Sequence, residues 1–307
     1  MITAHSTLTC TITPFAEDGA LDESAWRAHL DRLATAGMGV YVGSSSPGEG
    51  YTLSLEETET LYGITADVVR GRAPARAMGV ETHTAAEYLR IVSIAERVGL
   101  EAMQIYCVDS GHANTPTTPE LDLYFRTILD GSSIPCVLSS HVYNGYVLPF
   151  DLVDRLLTDY PERILGVNVT NPDMTYVARL VDTIGGRCEV HCGGPMQALT
   201  MLALGGQGFL STDGNIIPET CVAVVRAYAL GDIAASDAAY AQVLRFFSAN
   251  LWPGGSMRYL KAIMRLLGMP GHTLRPPFLA LDPAADPQIL AQLDGLGIPE
   301  LQALRSR

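Results

Sequence analysis

The chain has 307 residues, a length that suits a single α/β barrel and does not require division into two folding units. Hydrophobic residues make up 48% of it and charged residues 17%, which is enough apolar material for a large core. The formal charge of −13 argues against nucleic acid and membrane surfaces as partners, because an acidic surface repels phosphate groups.

The cysteines and the first residues predict a cytoplasmic protein. Four of the six cysteines, Cys10, Cys107, Cys136 and Cys192, lie in or beside apolar segments and are expected to be reduced and buried. No two cysteines have the CxxC spacing of a zinc ribbon or a dithiol redox site. The segment MITAHSTLTC lacks the basic and apolar regions of a signal peptide, and no apolar run is long enough for a membrane span.

Short apolar segments rich in β-branched residues alternate along the chain with longer stretches of helical periodicity. Both alternating faces of these segments are mostly apolar, as expected for parallel strands that are covered on each side. The predicted strands lie at 7–13, 39–43, 76–80, 102–108, 136–139, 165–169, 189–192 and 208–210.

The stretches between the predicted strands carry apolar residues at helical spacing, for example Trp26, Leu30 and Leu33. Eight strand–helix units without a long antiparallel stretch predict an α/β fold of the (β/α)8 TIM barrel type. A doubly wound open sheet is the structural alternative. It would need a glycine-rich phosphate turn after its first strand, and TPFAEDG is not such a turn.

Helical periodicity continues beyond the eighth predicted strand, at 219–230, 233–251 and 257–267. The first of these segments completes the barrel as its eighth helix. No low-complexity linker separates the others from it, so they are not expected to form an independent domain. We therefore predict a barrel over residues 1–230 and a C-terminal helical extension over 231–307 that packs on the barrel.

Four short motifs follow one another along nearly the whole chain. They are TPF with DG at 13–19, GSSSPGE with TLS at 43–54, GGQGFLS with Asn215 and Pro218 at 205–218, and KA with Gly268, Arg275, Pro276 and Pro277 at 261–277. Together they resemble the dihydrodipicolinate synthase / N-acetylneuraminate lyase family of barrel aldolases. The resemblance implies the barrel fold and a homo-oligomer, either a dimer or a tetramer. A shared fold does not by itself fix the chemistry.

The chemistry implied by the resemblance uses a lysine on the sixth strand, which forms a Schiff base with a 2-oxo acid, and a tyrosine at the end of the fifth. In this sequence Asn168 occupies the lysine position and Ser139 the tyrosine position. An amide nitrogen is not a nucleophile and cannot form an iminium ion. The only lysine, Lys261, lies on a helical pattern beyond the last strand, so we predict a structural role for it.

Several polar residues fall at the predicted carboxyl ends of the strands, which converge on one mouth in a barrel of this kind. Hydroxyl groups and a glycine in the loop after the second strand are expected to hold a carboxylate. Taken alone, each histidine is more readily explained as a hydrogen-bonded surface or loop residue. The predicted catalytic residues are Glu81, His112, Ser139, His141 and Asn168, and the predicted substrate-binding residues are Ser45, Ser46, Gly48, His83, His191, Ser211 and Asn215.

These residues predict a divergent lyase, of the aldolase or hydratase/dehydratase type, that acts on a small 2-oxo or hydroxy carboxylate without a Schiff base and without a cofactor. Glu81 and the histidines would form its proton relay, since histidine titrates near neutrality. One alternative is a metal-dependent lyase in which Glu81 and histidines hold a divalent ion. Another is a non-catalytic barrel that binds a small carboxylate. The sequence leaves the substrate and the reaction direction open.

Overall fold

The computed structural model of the protein describes residues 5–112, 114–250, 252 and 255–305. Within these ranges eight parallel strands close into a barrel in the order of the sequence, and the eighth strand pairs with the first. The strands are β1 (Ser6–Cys10), β2 (Gly39–Val42), β3 (Ala75–Met78), β4 (Ala102–Ile105), β5 (Cys136–His141), β6 (Ile164–Thr170), β7 (Glu189–Gly193) and β8 (Gly208–Ser211).

The predicted fold class is confirmed, and every predicted strand is present. The carboxyl ends differ most at β4, which was predicted to continue to residue 108 and ends at Ile105, and at β1, which was predicted to continue to residue 13 and ends at Cys10. Beyond it, Thr11 still donates its amide to Tyr41 of β2, but the amide of Ile12 turns to the side chain of Asn215. Side-chain hydrogen bonding therefore replaces the regular ladder at this edge of the barrel.

Helices follow the strands and cover the outside of the barrel. A capping box starts α2, where the Ser54 hydroxyl accepts from the amide of Glu57 and the Glu57 carboxylate accepts from the amide of Ser54. The helices are α1 (Glu23–Thr35), α2 (Leu55–Val69), α3 (Ala85–Val98), α4 (Thr118–Asp130), α5 (Phe150–Asp159), α6 (Met174–Ile184), α7 (Ala198–Ala203), α8 (Pro218–Ala229), α9 (Ile233–Ala249), α10 (Gly255–Leu266), α11 (Asp286–Gly295) and α12 (Pro299–Arg305).

The C-terminal helices pack on the barrel. Phe246 of α9 and Ile263 of α10 are fully buried and belong to the same hydrophobic core as Leu8 of β1. The helix predicted at 233–251 ends at Ala249, and Leu251 lies outside the described residues. None of the helices in the described part of the chain combines the length and apolarity that crossing a bilayer requires.

Side chains fill the interior of the barrel, and one layer of them is ionic. The Arg76 guanidinium of β3 lies 2.9 Å from the Glu189 carboxylate of β7, and both side chains are almost completely buried. The Tyr41 hydroxyl of β2 lies 3.4 Å from Nη1 of Arg76. A charge at this depth is tolerated when it is paired and hydrogen-bonded, so this layer forms a closed polar base beneath the mouth of the barrel.

Candidate active site

A cavity of about 440 Å³ opens at the carboxyl ends of the strands. Active sites of α/β barrels form at this face, because the loops that follow the strands meet there. Its polar wall consists mainly of uncharged hydrogen-bonding side chains, and its aromatic wall includes Tyr143 and Phe247. The polar side chains that line it are Ser46, Gln104, Ser139, His141, Asn168, Thr170, Ser211, Thr212 and Asn250.

Asn168 lines the lower part of this cavity. Its position on β6 is opposite Ser139 of β5 and His191 of β7, and its side chain is 4% exposed. The amide nitrogen donates to Oε1 of Gln104, while Oδ1 has no hydrogen-bond partner among the described residues. Burial raises the pKa of the neighbouring Tyr41 hydroxyl, although hydrogen bonds from Arg76 and Asn168 partly oppose the rise.

His141 is the last residue of β5 and reaches the cavity from the side. Its Nδ1 atom is buried and has no hydrogen-bond partner among the described residues. Burial lowers the pKa of His141, and the negative charge of Glu81 only partly opposes this effect. The imidazole is therefore neutral at neutral pH and can accept a proton. The Glu81 carboxylate itself accepts a hydrogen bond from the Ser45 hydroxyl.

Ser211 brings a hydroxyl to the opposite part of the mouth. Its Oγ atom lies 2.5 Å from Oδ2 of Asp213 and accepts a hydrogen bond of 3.0 Å from the Asp213 amide. Asp213 is fully buried, and its Oδ1 atom has no partner among the described residues. Burial raises the pKa of the Asp213 carboxyl from 3.8 to about 7. Asp213 was not among the predicted site residues.

Two predicted histidines do not reach this cavity, which corrects the expectation that all strand ends share one pocket. His112 is exposed in the loop after β4. His83 is exposed after β3, and its Nδ1 atom lies 2.9 Å from the carbonyl oxygen of Asp109, a contact that raises the pKa of His83. Both loops carry their histidines to the outer surface, so neither placement supports a role in a relay at the mouth.

Two other predicted residues are buried in the wall of the barrel and do not line the cavity. His191 lies beneath the mouth with Nε2 at 2.9 Å from the Ser6 hydroxyl, and burial with the charge of Arg76 lowers the pKa of His191 to about 3. Asn215 accepts from the amide of Ile12 and donates to the carbonyl oxygen of Cys10. Their partners are protein groups, so both positions correspond to structural roles.

The loop after β2 uses most of its polar groups internally. Ser46 is exposed and lines the cavity, whereas the Ser45 hydroxyl is engaged with Glu81. The Gly48 amide donates to the Ser44 hydroxyl over 3.2 Å, and its carbonyl oxygen accepts from Thr13 over 2.6 Å. Of the three residues predicted to hold a carboxylate in this loop, only Ser46 faces the mouth.

Lys261 lies outside the cavity, in a cluster that joins α10 to the loop after β2. Its Nζ atom is 2.5 Å from the Glu49 carboxylate, 2.6 Å from the carbonyl oxygen of Thr273 and 2.9 Å from that of Thr13. The side chain is 1% exposed and lies over the Phe15 ring. Burial lowers the pKa of Lys261, and the charge of Glu49 opposes this effect.

Gln104 and Asn250 were missed in the sequence. Gln104 is a polar residue inside the apolar strand β4, and that isolation was a usable signal. Asn250 follows α9, and no pattern in the sequence connects that position to the strand ends. A metal site gains no support from the donor geometry, because the described ranges contain no group of three or more His, Cys, Asp or Glu side chains able to hold an ion.

Comparison with known proteins identifies the family of this chain. The sequence model of the Dihydrodipicolinate synthetase family matches residues 4–295. The chain belongs to this family. A 4-hydroxy-tetrahydrodipicolinate synthase from Hyphomonas neptunium is 29% identical over 302 residues, which cover 96% of this chain and 99% of the relative. A protein of the same name from Methanoculleus marisnigri is 30% identical over 286 residues, covering 91% and 94%.

Solved structures from the dihydrodipicolinate synthetase family share the fold. The 4-hydroxy-tetrahydrodipicolinate synthase of Methylacidiphilum fumariolicum SolV superposes with a TM-score of 0.87 at 23% identity, covering 99% of both chains. YagE, an Escherichia coli K12 prophage protein of the dihydrodipicolinic acid synthase family in complex with pyruvate, gives 0.86 at 24% identity, covering 95% of this chain and 98% of YagE. Membership of this family makes the protein an aldolase-type lyase at the level of the family.

Proposed function

We propose that the protein is a lyase that cleaves or dehydrates a small hydroxylated carboxylate without a lysine Schiff base. The observation that carries the proposal is the pair of positions 168 and 261. Asn168 lines the cavity, while Lys261, the only lysine in the chain, has its ammonium group among Glu49 and two backbone carbonyl oxygens. A buried ammonium paired in this way is not a free amine, and an amide cannot replace it as a nucleophile.

The unpaired acceptors of the cavity favour a substrate that carries hydroxyl groups. Asn168, His141 and Asn250 line the same cavity, and Oδ1 of Asn168, Nδ1 of His141 and Oδ1 of Asn250 are buried and have no partner among the described residues. Leaving a buried polar atom unpaired costs roughly 1–3 kcal/mol, so such atoms call for a ligand that donates hydrogen bonds. A hydroxylated carbon chain supplies such donors, whereas a simple 2-oxo acid supplies none.

The carboxylate would be held by neutral donors. Among the described residues that line the cavity there is no lysine or arginine. Hydroxyl groups are available from Ser46 and Thr170, and the Thr170 hydroxyl lies against the backbone of Gly193, where a Cβ atom would not fit. Hydrogen bonds from neutral donors are weaker than charge-assisted ones, so we expect moderate affinity that depends little on ionic strength.

His141 is positioned to act as the base of the proposed reaction. Removal of a proton from a hydroxyl group starts a retro-aldol cleavage, and removal of a proton beside the carboxylate starts a dehydration. Either step requires a base within the cavity, and the lowered pKa of His141 keeps its ring in the neutral form that can accept a proton. Asn168 would hold a substrate hydroxyl through Oδ1, with Gln104 fixing the orientation of its amide.

The Schiff-base-free mechanism is tested by borohydride reduction in the presence of pyruvate, followed by mass measurement of the intact protein. The wild-type mass should not change. Asn168→Lys is the matched positive control, because it places an amine in the cavity, where burial would lower its pKa and favour the nucleophilic form. A covalent adduct on the wild-type protein would refute the mechanism.

The substrate class is tested with pyruvate, lactate, glycerate and gluconate, which differ in the number of hydroxyl groups that they donate. Thermal stabilisation should increase from pyruvate to gluconate, and 2-oxo acid should be released from glycerate or gluconate. His141→Gln should lower that release by about 10²-fold or more. His5→Gln, at an exposed position before β1, is the matched control. Stabilisation without any release would support a non-catalytic barrel that binds the carboxylate.

A further inference from the structure

We infer that Ser211 and Asp213 form a proton-transfer dyad in the β8 wall of the mouth, in which Ser211 carries protons between a bound hydroxylated substrate and the Asp213 carboxyl. The inference deepens the proposed function and rests on it for the identity of the substrate. It supplies the second proton-handling group that a lyase needs, because the proton removed by one group differs from the proton delivered to the leaving group.

The geometry connects the cavity to a carboxyl that has no contact with solvent. Ser211 lines the cavity and is 4% exposed, while Asp213 is 0% exposed. The 2.5 Å separation between Ser211 Oγ and Asp213 Oδ2 is that of a charge-assisted hydrogen bond. The Asp213 amide donates to the same Oγ atom, which leaves the hydroxyl oxygen with a lone pair for a ligand.

Among the described residues, the pKa of the Asp213 carboxyl is set by burial, the Ser211 hydroxyl and a backbone hydrogen bond, and none of these is a positive charge. Cys221 of α8 and Tyr259 of α10 are titratable groups whose charge interacts with it. His29 and Arg32 of α1 approach the same turn, but the His29 ring lies 3.0 Å from the Asn215 side chain and Arg32 donates to backbone carbonyl oxygens of the turn. A structural aspartate at this depth would be expected to have a positively charged partner.

The proton transfer is balanced in both directions. With Asp213 ionised, Ser211 Oγ takes a proton from the substrate as its own proton passes to Oδ2, so the substrate keeps the electron pair of the broken bond and Asp213 becomes neutral. With Asp213 protonated, the carboxyl gives its proton to Ser211 Oγ as the Ser211 proton passes to the leaving oxygen. The hydroxyl is regenerated each time, and no other reactant is needed. Burial brings the pKa of Asp213 to about 7, which makes both forms available near neutrality.

His141 and Ser211 stand three strands apart in the closed order of the barrel, on β5 and β8. Both line one cavity, so a substrate between them meets one group on each side. This arrangement separates the group that removes a proton from the group that returns one. It also gives a role to a buried carboxyl that lies directly behind a cavity-lining hydroxyl.

The first experiment needs no substrate. Infrared titration of the ligand-free protein should show a carboxyl carbonyl band that disappears as the pH rises through about 7 and is absent from Asp213→Asn. Glu300→Gln is the matched control, because Glu300 is another partly buried carboxyl with a raised pKa that hydrogen-bonds to Thr220, away from the mouth. An Asp213 band that does not change with pH, or a spectrum unaffected by Asp213→Asn, would overturn the inference.

The second experiment tests the route through Ser211. The protein, held at a pH below 7 where Asp213 is protonated, is mixed with D2O. The carbonyl band of Asp213 should then shift within the dead time of mixing in wild type and in Ser211→Thr, which keeps the hydroxyl. The shift should become measurably slower in Ser211→Ala. Equal exchange rates in all three proteins would mean that protons reach Asp213 by another path, and the dyad would be rejected.

The third experiment uses release of 2-oxo acid from glycerate or gluconate, followed as a function of pH. Asp213→Asn should lower kcat by about 10²-fold and remove one limb of the pH profile, with little change in KM. A purely structural role would lower activity without altering the profile, and that result would count against the inference. If neither compound is turned over, the proposed function fails, while the two infrared experiments still decide the dyad.

Discussion

The Lys261 cluster and the mouth of the barrel are both buried and polar, but they differ in how completely their atoms are paired. Around Lys261, the ammonium group has three oxygen partners, and Glu49 also accepts from the backbone amide of Arg275. At the mouth, buried acceptors of Asn168, His141 and Asn250 have no partner among the described residues. Complete pairing is typical of a structural site, whereas unpaired atoms that line a cavity indicate a place for a ligand.

The largest expected effect concerns the Lys261 cluster, where every polar atom named above is paired. Lys261→Met should destabilise the fold by about 3–5 kcal/mol, because it leaves Glu49 as an uncompensated buried charge. Denaturant unfolding measures this change. Arg155→Met is the matched control, since it breaks an exposed pair with Asp151 and should cost less than about 1 kcal/mol. Adding Glu49→Gln to Lys261→Met should recover part of the lost stability. Equal destabilisation by Lys261→Met and Arg155→Met would contradict the comparison.

His191, beneath the mouth, should contribute to acid sensitivity. Its pKa falls from 6.5 to about 3 in the folded protein, so the unfolded chain binds a proton that the folded protein does not. Wild-type stability should therefore fall as the pH drops through this window, by about 1.4 kcal/mol per pH unit for this residue. His191→Gln should flatten the dependence, as measured by unfolding at several pH values. His83→Gln should change the slope in the opposite direction, because the pKa of exposed His83 is raised.

Asp213, at the mouth, should change the free energy of unfolding with pH in the opposite direction to His191. Its folded-state pKa of about 7 lies above the ordinary value of 3.8, so the folded protein holds the proton more tightly. Stability from this group is greatest at low pH and is lost as the pH rises through the window, by about 1.4 kcal/mol per pH unit. Above neutrality Asp213→Asn should be more stable than wild type in denaturant unfolding. If Asp213→Asn were less stable than wild type at every pH, Asp213 would belong with the structural residues of fully paired sites such as the Lys261 cluster.

The smallest expected effect concerns Asn250. Asn250→Ala should not lower the free energy of unfolding, because it removes a buried acceptor that has no partner among the described residues. Binding of gluconate should weaken by about 1 kcal/mol, the usual contribution of one hydrogen bond. Calorimetric titration measures the second quantity. Unchanged affinity would show that this acceptor does not contact the ligand.

Much of the fold was predictable because the apolar periodicity of eight strands is a local property of the sequence. Strand ends were less predictable, since β1 ends where the side chain of Asn215 takes over a backbone amide. Within the site, Asn168 was predicted to face the cavity through the family resemblance and does line it. The outward direction of His83 and His112 depends on loop conformation, and Asn250 comes from a helix far along the chain. Neither property is encoded in local periodicity.

The burial of the single lysine has a practical consequence for chemical probing. With 1% exposure and three oxygen partners, the Lys261 amine should be inaccessible to acylating reagents while the fold is intact. Unfolding or local opening of α10 would release it. Modification at this one position, read by peptide mass mapping, would therefore follow opening of the protein without any engineered label.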